Sequence, residues 1–289
     1  MSSDNLLIKV KQLREITGVG FKDCKNAIDE TKGDIEKSIE LLRKKGIAKA
    51  TKRMGRVAAE GLVCIYEKEN NFSIIEINSE TDFVAKNSDF INFAEEVSKL
   101  ALTKAGKMND ILISKMNNKI NVQDNLVSLI SKIGEKITLR RSDFIKSEKC
   151  INFSYTHSTV KANVGQMGVI LSLETTKTKK ELLVFGKQLA MHIAASSPLG
   201  IDISDLDQNM IKKEKEIITE ELKNSGKDSK IIDKIAIGKL NKFVSDNTLL
   251  NQEWIMEPKK KVKDVLNEVA GKDKIVVKKF TRFKVREGI

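Results

Sequence analysis

Cysteine is scarce in this chain. Its 289 residues include three, Cys24, Cys64 and Cys150. They are odd in number, far apart and in no Cys-x-x-Cys pair, so neither a disulfide framework nor a thiolate zinc site is readable. A reducing compartment suits such a chain. Histidine is scarcer still: His157 and His192 are the only two, and neither stands at metal-ligand spacing with the other or with a cysteine. No metal and no cofactor are expected. Runs of about 18 apolar residues are missing, and Met1-Ser2-Ser3-Asp4-Asn5 is polar and acidic where a secretory leader is basic and then apolar. The expectation is a soluble, cytoplasmic protein with no membrane partner.

Signatures of catalysis are missing as well. GxxxxGK[ST] does not occur, and Gly18-Val19-Gly20 is followed by Asp23 where a GxGxxG fingerprint needs its third glycine. A GxSxG elbow is also absent. Neither an enzyme nor a nucleotide-binding protein is expected from these motifs. Arginine is confined to positions 14, 43, 53, 56, 140, 141, 282 and 286, so lysine supplies most of the net charge of +12, interspersed with 40 acids. Clustered cations gain affinity for nucleic acid by releasing phosphate counterions, and bases stack on interleaved aromatics. This chain has 5% aromatics and mixed charge. A lysine-rich RNA-binding protein therefore stands as an alternative, and nucleic acid is not expected as the main partner.

What is present is enough apolar material, 40% of residues, to fill the cores of two or three domains without staples. From Leu6 to Gly46 three short amphipathic segments follow one another. Leu6, Val10 and Leu13 line the first, ended by Gly18; Cys24, Ala27 and Ile28 line the second, ended near Gly33; Asp34 caps the third, with Ile35, Ile39 and Leu42 recurring before Gly46. Residues 1–46 thus form a three-helix module, and 47–60, with Lys49, Lys52, Arg53 and Arg56, a basic linker that is helical or flexible.

Gly61 to Tyr66 and Phe72 to Asn78 then read as a hairpin around Glu69-Asn70-Asn71. A helix follows, with Ser88 as its cap and Phe90, Phe93, Ala94, Val97, Leu100 and Ala101 as its buried stripe. Asn125 to Lys136 reads as a further helix and Ile137 to Arg140 as a strand. The order strand, turn, strand, helix recurs with Ile151 to Tyr155, Val169 to Leu173 and Glu181 to Ala195. The fold class is α+β: a core of two subdomains, 61–145 and 146–289, each a small antiparallel sheet covered by helices on one face. Sparse apolar seams on both sides of Asn224-Ser225-Gly226-Lys227 predict a protruding antiparallel helical hairpin inserted at about 205–250. Lys274 to Val277 and Phe280 to Val285 read as two closing strands.

One segment stands out. Thr81-Asp82-Phe83-Val84-Ala85-Lys86-Asn87 sets an acid beside a large aromatic directly after the strand Ser73 to Ser79. On pattern alone two readings stand: Phe83 turns inward to cap a core while Asp82 caps the next helix, or the pair is presented to a partner. His192, in the apolar run Leu189 to Ala195, reads as a hydrogen-bonded, partly buried histidine, and Met167 and Met191 as core filler.

Several of these stretches resemble the bacterial translation elongation factor Ts family. The matching residues are Leu13-Arg14, Thr17-Gly18-Val19-Gly20, Asp23-Cys24-Lys25, Gly33-Asp34, Lys45-Gly46, Thr81 to Asn87, Ala190 to Ala195, Met256-Glu257-Pro258 and Arg282-Phe283 near Glu287-Gly288. The likeness covers nearly the whole length and keeps the order of the motifs. It implies a ubiquitin-associated-like (UBA-like) fold for the first module and a guanine-nucleotide exchange factor acting on elongation factor Tu, with no cofactor of its own. By residue-wise carry-over, Thr81, Asp82, Phe83 and Val84 would act on the partner's Mg²⁺ site. Lys11, Arg14 and Phe21 or Lys22 would touch the partner's G domain, and His192 would face its third domain. Phe21-Lys22 departs from the small or flexible apolar pair common in the family. Many members also continue into a final helix past the Glu287-Gly288 region, so a smaller contact surface is expected here. A homodimer, through the hairpin or a sheet face, and a peptide-binding adaptor are the remaining alternatives for partners.

Overall fold

The computed structural model describes residues 3–17, 19–146, 148–223 and 229–289. Helices α1 (Ser3–Thr17), α2 (Phe21–Glu30) and α3 (Ile35–Arg53) open the chain. Val10, Leu13, Val19, Cys24, Ala27, Ile28 and Leu42 bury one another between them, the three stripes expected from helical periodicity. Asp34 caps α3 by accepting the Lys37 N–H at 3.0 Å. The predicted glycine stop of the first helix, Gly18, lies outside the described residues.

Gly46 does not end α3, which continues to Arg53. An ideal Cβ at Gly46 would meet Ser131 at 3.5 Å and Val127 at 3.8 Å, both on α7 (Val122–Ile133). A mid-helix glycine costs about 1 kcal/mol, and here close packing on a neighbouring helix offsets it. Of the two forms considered for the linker, the helical one holds for Ile47 to Arg53.

Among the described residues six strands follow: β1 (Glu60–Lys68), β2 (Asn71–Ser79), β3 (Ile137–Ile145), β4 (Cys150–Lys161), β5 (Val164–Thr175) and β6 (Ile275–Lys284). They form one antiparallel sheet in the order β3-β2-β1-β5-β4, with β6 also on β5. This corrects the expectation of two separate sheets. β5 begins earlier than the sequence pattern suggests, and its first residues reach past β6 to pair with β1 through Val63↔Gly165 and Cys64↔Val164. The closing segment is one strand, not two; its ladder with β5 shifts register between Ser172 and Leu173.

Each half of the sheet keeps its own helical cover. Over β1 to β3 lie α5 (Ser88–Thr103), α6 (Met108–Ile113) and α7, burying Phe90, Phe93, Val97, Ile111 and Leu126 against Leu62, Ile75 and Ile77. Over β4 to β6 lie α8 (Leu183–Ser196) and α11 (Val262–Ala270), with Leu189, Ile193, Trp254 and Leu266 against Phe153, Leu171 and Val277. At Gly186 a Cβ would stand 2.5 Å from the Phe153 ring, so only glycine lets α8 sit this close to β4. A third cluster, with Val63, Ile65, Phe72 and Ile74 from one half and Ile170, Phe283 and Val285 from the other, locks the halves together. Helices α6 and α11 were not expected. Helices α9 (Gln208–Lys223) and α10 (Ser229–Asn247) occupy the predicted hairpin region and carry a cross-helix ion pair, Lys239 to Glu221, at 2.8 Å. The break at 224–227 falls outside the described residues.

Candidate functional site

The segment singled out by sequence becomes one helical turn, α4 (Asp82–Ala85), between β2 and α5. Its two ends are held differently. At the far end Asn87 caps α5, its side chain accepting from Asp89 N–H at 2.9 Å and Phe90 N–H at 3.3 Å. Asn87, not Ser88, is therefore the cap. Asparagine's short amide reaches back to the first free N–H groups while its own backbone stays extended. At the near end Thr81 donates twice to Glu135, from its N–H at 3.0 Å and from its hydroxyl at 2.7 Å. Ser79 donates to the Thr81 carbonyl at 2.9 Å.

Between those anchors the side chains divide sharply. Val84 and Ala85 are each 6% exposed and join the core under β1 and β2, whereas Phe83 is 79% exposed. The inward reading of Phe83 is thereby overturned. Helical spacing explains the division: on a single turn whose third and fourth residues face the sheet, the second must point away. Asp82 does not cap α5; its carboxylate pairs with Lys86 Nζ at 3.0 Å, one turn on. The Lys86 ammonium holds the Asp82 carboxyl below its usual range, because an adjacent cation favours the ionised form. The turn thus presents an aromatic ring next to a negative charge.

Lys11 and Arg14, three residues apart on α1, and Phe21 and Lys22, at the start of α2, are all exposed. They lie on the first module, not on α4. His192, the residue expected on the face toward the partner's third domain, lies on α8. It is fully buried, stacked on Trp254 with ring centroids 5.2 Å apart. Its Nε2 lies 3.0 Å from Gln252 Oε1 and its Nδ1 accepts the Ile255 N–H at 3.3 Å. With both ring nitrogens engaged, the imidazole fastens the 252–255 segment to α8. Burial pushes its pKa down.

Sequence reasoning did not find Glu135, Glu80, Lys136 or Arg56. Glu80 accepts the Lys136 N–H at 2.6 Å and an Arg56 N–H at 3.2 Å, and Lys136 Nζ donates to the Met54 and Arg56 carbonyls at 2.7 and 2.8 Å. The one available signal was Gly134-Glu135 closing a helix. Among the described residues no group of three or more His, Cys, Asp or Glu side chains could hold a metal ion, and no helix is long and apolar enough to cross a membrane.

An exposed aromatic held on a fixed turn, beside a helical module presenting cations, is a surface suited to contact with another protein. Comparison with known proteins narrows the class. Residues 80–287 match the family model described as Elongation factor TS. Elongation factor Ts of Methylorubrum extorquens is 41% identical over 283 residues, spanning 97% of this chain and 92% of that relative. Elongation factor Ts of Xanthobacter autotrophicus is 42% identical with the same coverage, and that of Bartonella henselae 40% identical over 286 residues, again covering 97% and 92%. The chain belongs to the elongation factor Ts family. That family serves translation elongation in protein biosynthesis, and its role is nucleotide exchange on elongation factor Tu.

Proposed function

We propose that this chain is a guanine-nucleotide exchange factor for elongation factor Tu and that Asp82 and Phe83 form the wedge that expels GDP. The observation that carries this reading is the 79% exposure of Phe83 on a turn whose next two residues are buried. A phenyl ring has only two torsions to fix, so it fills a pocket at small entropic cost, and such anchors dominate interface energies. Driven between elements of the partner's G domain, the ring displaces a phosphate-binding loop. Asp82, released from Lys86, competes by charge with the partner's Mg²⁺ shell or accepts hydrogen bonds from its backbone amides. Thr81 and Val84 hold the wedge at its ends.

Covalent chemistry is not required. A factor that binds the nucleotide-free partner more tightly than the GDP-bound one must, by linkage, weaken GDP by the same ratio. Lys11, Arg14, Phe21 and Lys22 on the first module supply a second contact with the G domain and set affinity. His192 acts indirectly, by shaping the surface around Ile255 and Met256. The cytoplasm, where elongation factor Tu works, is the compartment this function requires. Pairing of two copies, through α9 and α10 or through a sheet face, is read by sedimentation equilibrium.

The experiment is release of a fluorescent GDP analogue from elongation factor Tu, with and without the chain and with Phe83→Ala. Wild type speeds release and Phe83→Ala does so far less. Absence of acceleration by wild type removes the proposed function; full activity of a folded Phe83→Ala chain removes the wedge.

A further inference from the structure

Three separate stretches of chain meet at the base of the wedge. Gly134 closes α7 with a φ of 92°, the left-handed conformation that glycine adopts without strain. The abrupt turn it makes delivers Glu135 to Thr81 and Lys136 to Glu80. Thr81 stands at the N-cap of α4, yet its side chain makes no bond to that helix. The hydroxyl that would ordinarily accept a helix N–H instead donates to Glu135, and the Thr81 N–H goes to the other oxygen of the same carboxylate. Glu80 and Lys136 close the reciprocal half of the clasp, and Arg56 and Met54, just beyond α3, are drawn into it.

A four-residue helix cannot hold its own direction, since a single turn fixes several dihedrals for one hydrogen bond. Its aim is set by what grips its ends. The C-terminal end has Val84 and Ala85 in the core and Asn87 in the cap of α5. The N-terminal end, immediately before Asp82 and Phe83, has Glu135.

We propose that Glu135 is a positioning residue for nucleotide exchange: its carboxylate, taking both Thr81 donors, fixes the direction in which Asp82 and Phe83 leave the sheet. The inference rests on the exchange function proposed above. Glu135 need not touch the partner. It removes the wedge's freedom to swing before contact, so less ordering remains to be done when the ring enters its pocket.

The test compares Glu135→Ala, which keeps neither acceptor, with Glu135→Gln, which keeps one carbonyl oxygen. Titrating each full-length chain into elongation factor Tu loaded with fluorescent GDP separates the maximal release rate from the half-saturating concentration. Glu135→Ala should lower the maximal rate at least about tenfold, the scale of losing a single hydrogen bond to a charged acceptor, while half-saturation shifts by less than about twofold because the first module still docks. Glu135→Gln should recover part of the loss. In a Phe83→Ala background, Glu135→Ala should have a much smaller further effect, since it acts mainly by aiming the ring. Amide hydrogen exchange of residues 82–86 in the free chain should speed up about tenfold in Glu135→Ala. Unchanged protection, or a Glu135→Ala loss that persists undiminished in the Phe83→Ala chain, overturns the proposal while leaving the exchange function standing. If wild type fails to release GDP, the exchange function is lost instead, and the protection of residues 82–86 still decides whether Glu135 holds the turn.

Discussion

Phe83 and Val84 are adjacent in sequence and opposite in environment: Phe83 is 79% exposed and Val84 6%. One turn of helix both fastens the segment and offers it. The two residues should therefore separate stability from activity. Phe83→Ala removes almost no burial and should change unfolding free energy by no more than about 0.5 kcal/mol, yet abolish most of the stimulated GDP release. Val84→Ala should cost about 1–2 kcal/mol through lost burial and a small cavity, and because Val84 also anchors the turn, exchange by the folded fraction should fall too, though by much less than in Phe83→Ala. Urea unfolding followed by circular dichroism, beside the release assay, reads both.

The Asp82–Lys86 pair makes a prediction about pH. Because Lys86 holds the Asp82 carboxyl below its usual range, the pair's contribution is present above the unfolded carboxyl's value, about 3.9. It is lost as pH falls through the lower folded value. Lys86→Met removes the cation, so the carboxyl should titrate nearer its ordinary range. Carbon-detected NMR of the Asp82 carboxyl in wild type and Lys86→Met measures the displacement directly. An identical midpoint in both chains would show that the pair does not persist in solution.

How much of this was legible beforehand depended on the range of the interaction. Helical stripes such as Phe90, Phe93 and Val97 declare themselves because burial imposes a period of 3.6 on neighbouring residues. The 81–87 segment was conspicuous for a similar reason, being an acid and an aromatic where a strand ends. The exposure of Phe83 was not legible, since it depends on Val84 and Ala85 winning the sheet face. Glu135 was invisible because its partner lies 54 residues away. The joining of two sheets into one turned on two residue pairs at the start of β5, beyond the reach of any local pattern. Gly46 misled for a physical reason: tertiary packing on α7 outweighed a weak propensity.

His192 gives a second pH effect of the same sign. Burial lowers its pKa in the folded chain, so below about 6.5 the unfolded state gains a proton that the folded state refuses. Stability should be full above that pH and decline as pH falls through the lower folded value. His192→Gln cannot titrate and should flatten this part of the stability profile. His192→Ala should cost about 2–4 kcal/mol, because it leaves a cavity beside Trp254 and the Gln252 and Ile255 groups without their partner. Chemical denaturation between pH 5 and 8, ranges set by the imidazole's ordinary titration, tests all three chains.

Glu76 offers the sharpest contrast between a buried and a surface charge. It is fully buried on β2, and its carboxylate takes Arg140 at 2.9 Å, Arg141 at 2.6 Å and the Asn78 amide at 3.1 Å. The two guanidiniums extend the network to the end of the chain: Arg140 donates to the Glu287 carbonyl at 2.7 Å, and Arg141 lies 4.4 Å from the centre of the Phe283 ring. Removing one partner of such a group strands the others, which typically costs about 3–5 kcal/mol. Glu76→Ala should show that loss in urea unfolding and should also speed amide exchange around Phe283 to Glu287. Arg286 pairs with Glu60 at the surface, with its side chain 66% exposed. Solvent screens that pair, so Arg286→Ala should cost at most about 1 kcal/mol. If the two variants prove equally mild, the Glu76 cluster does not bind the chain's last strand to the first half of the sheet.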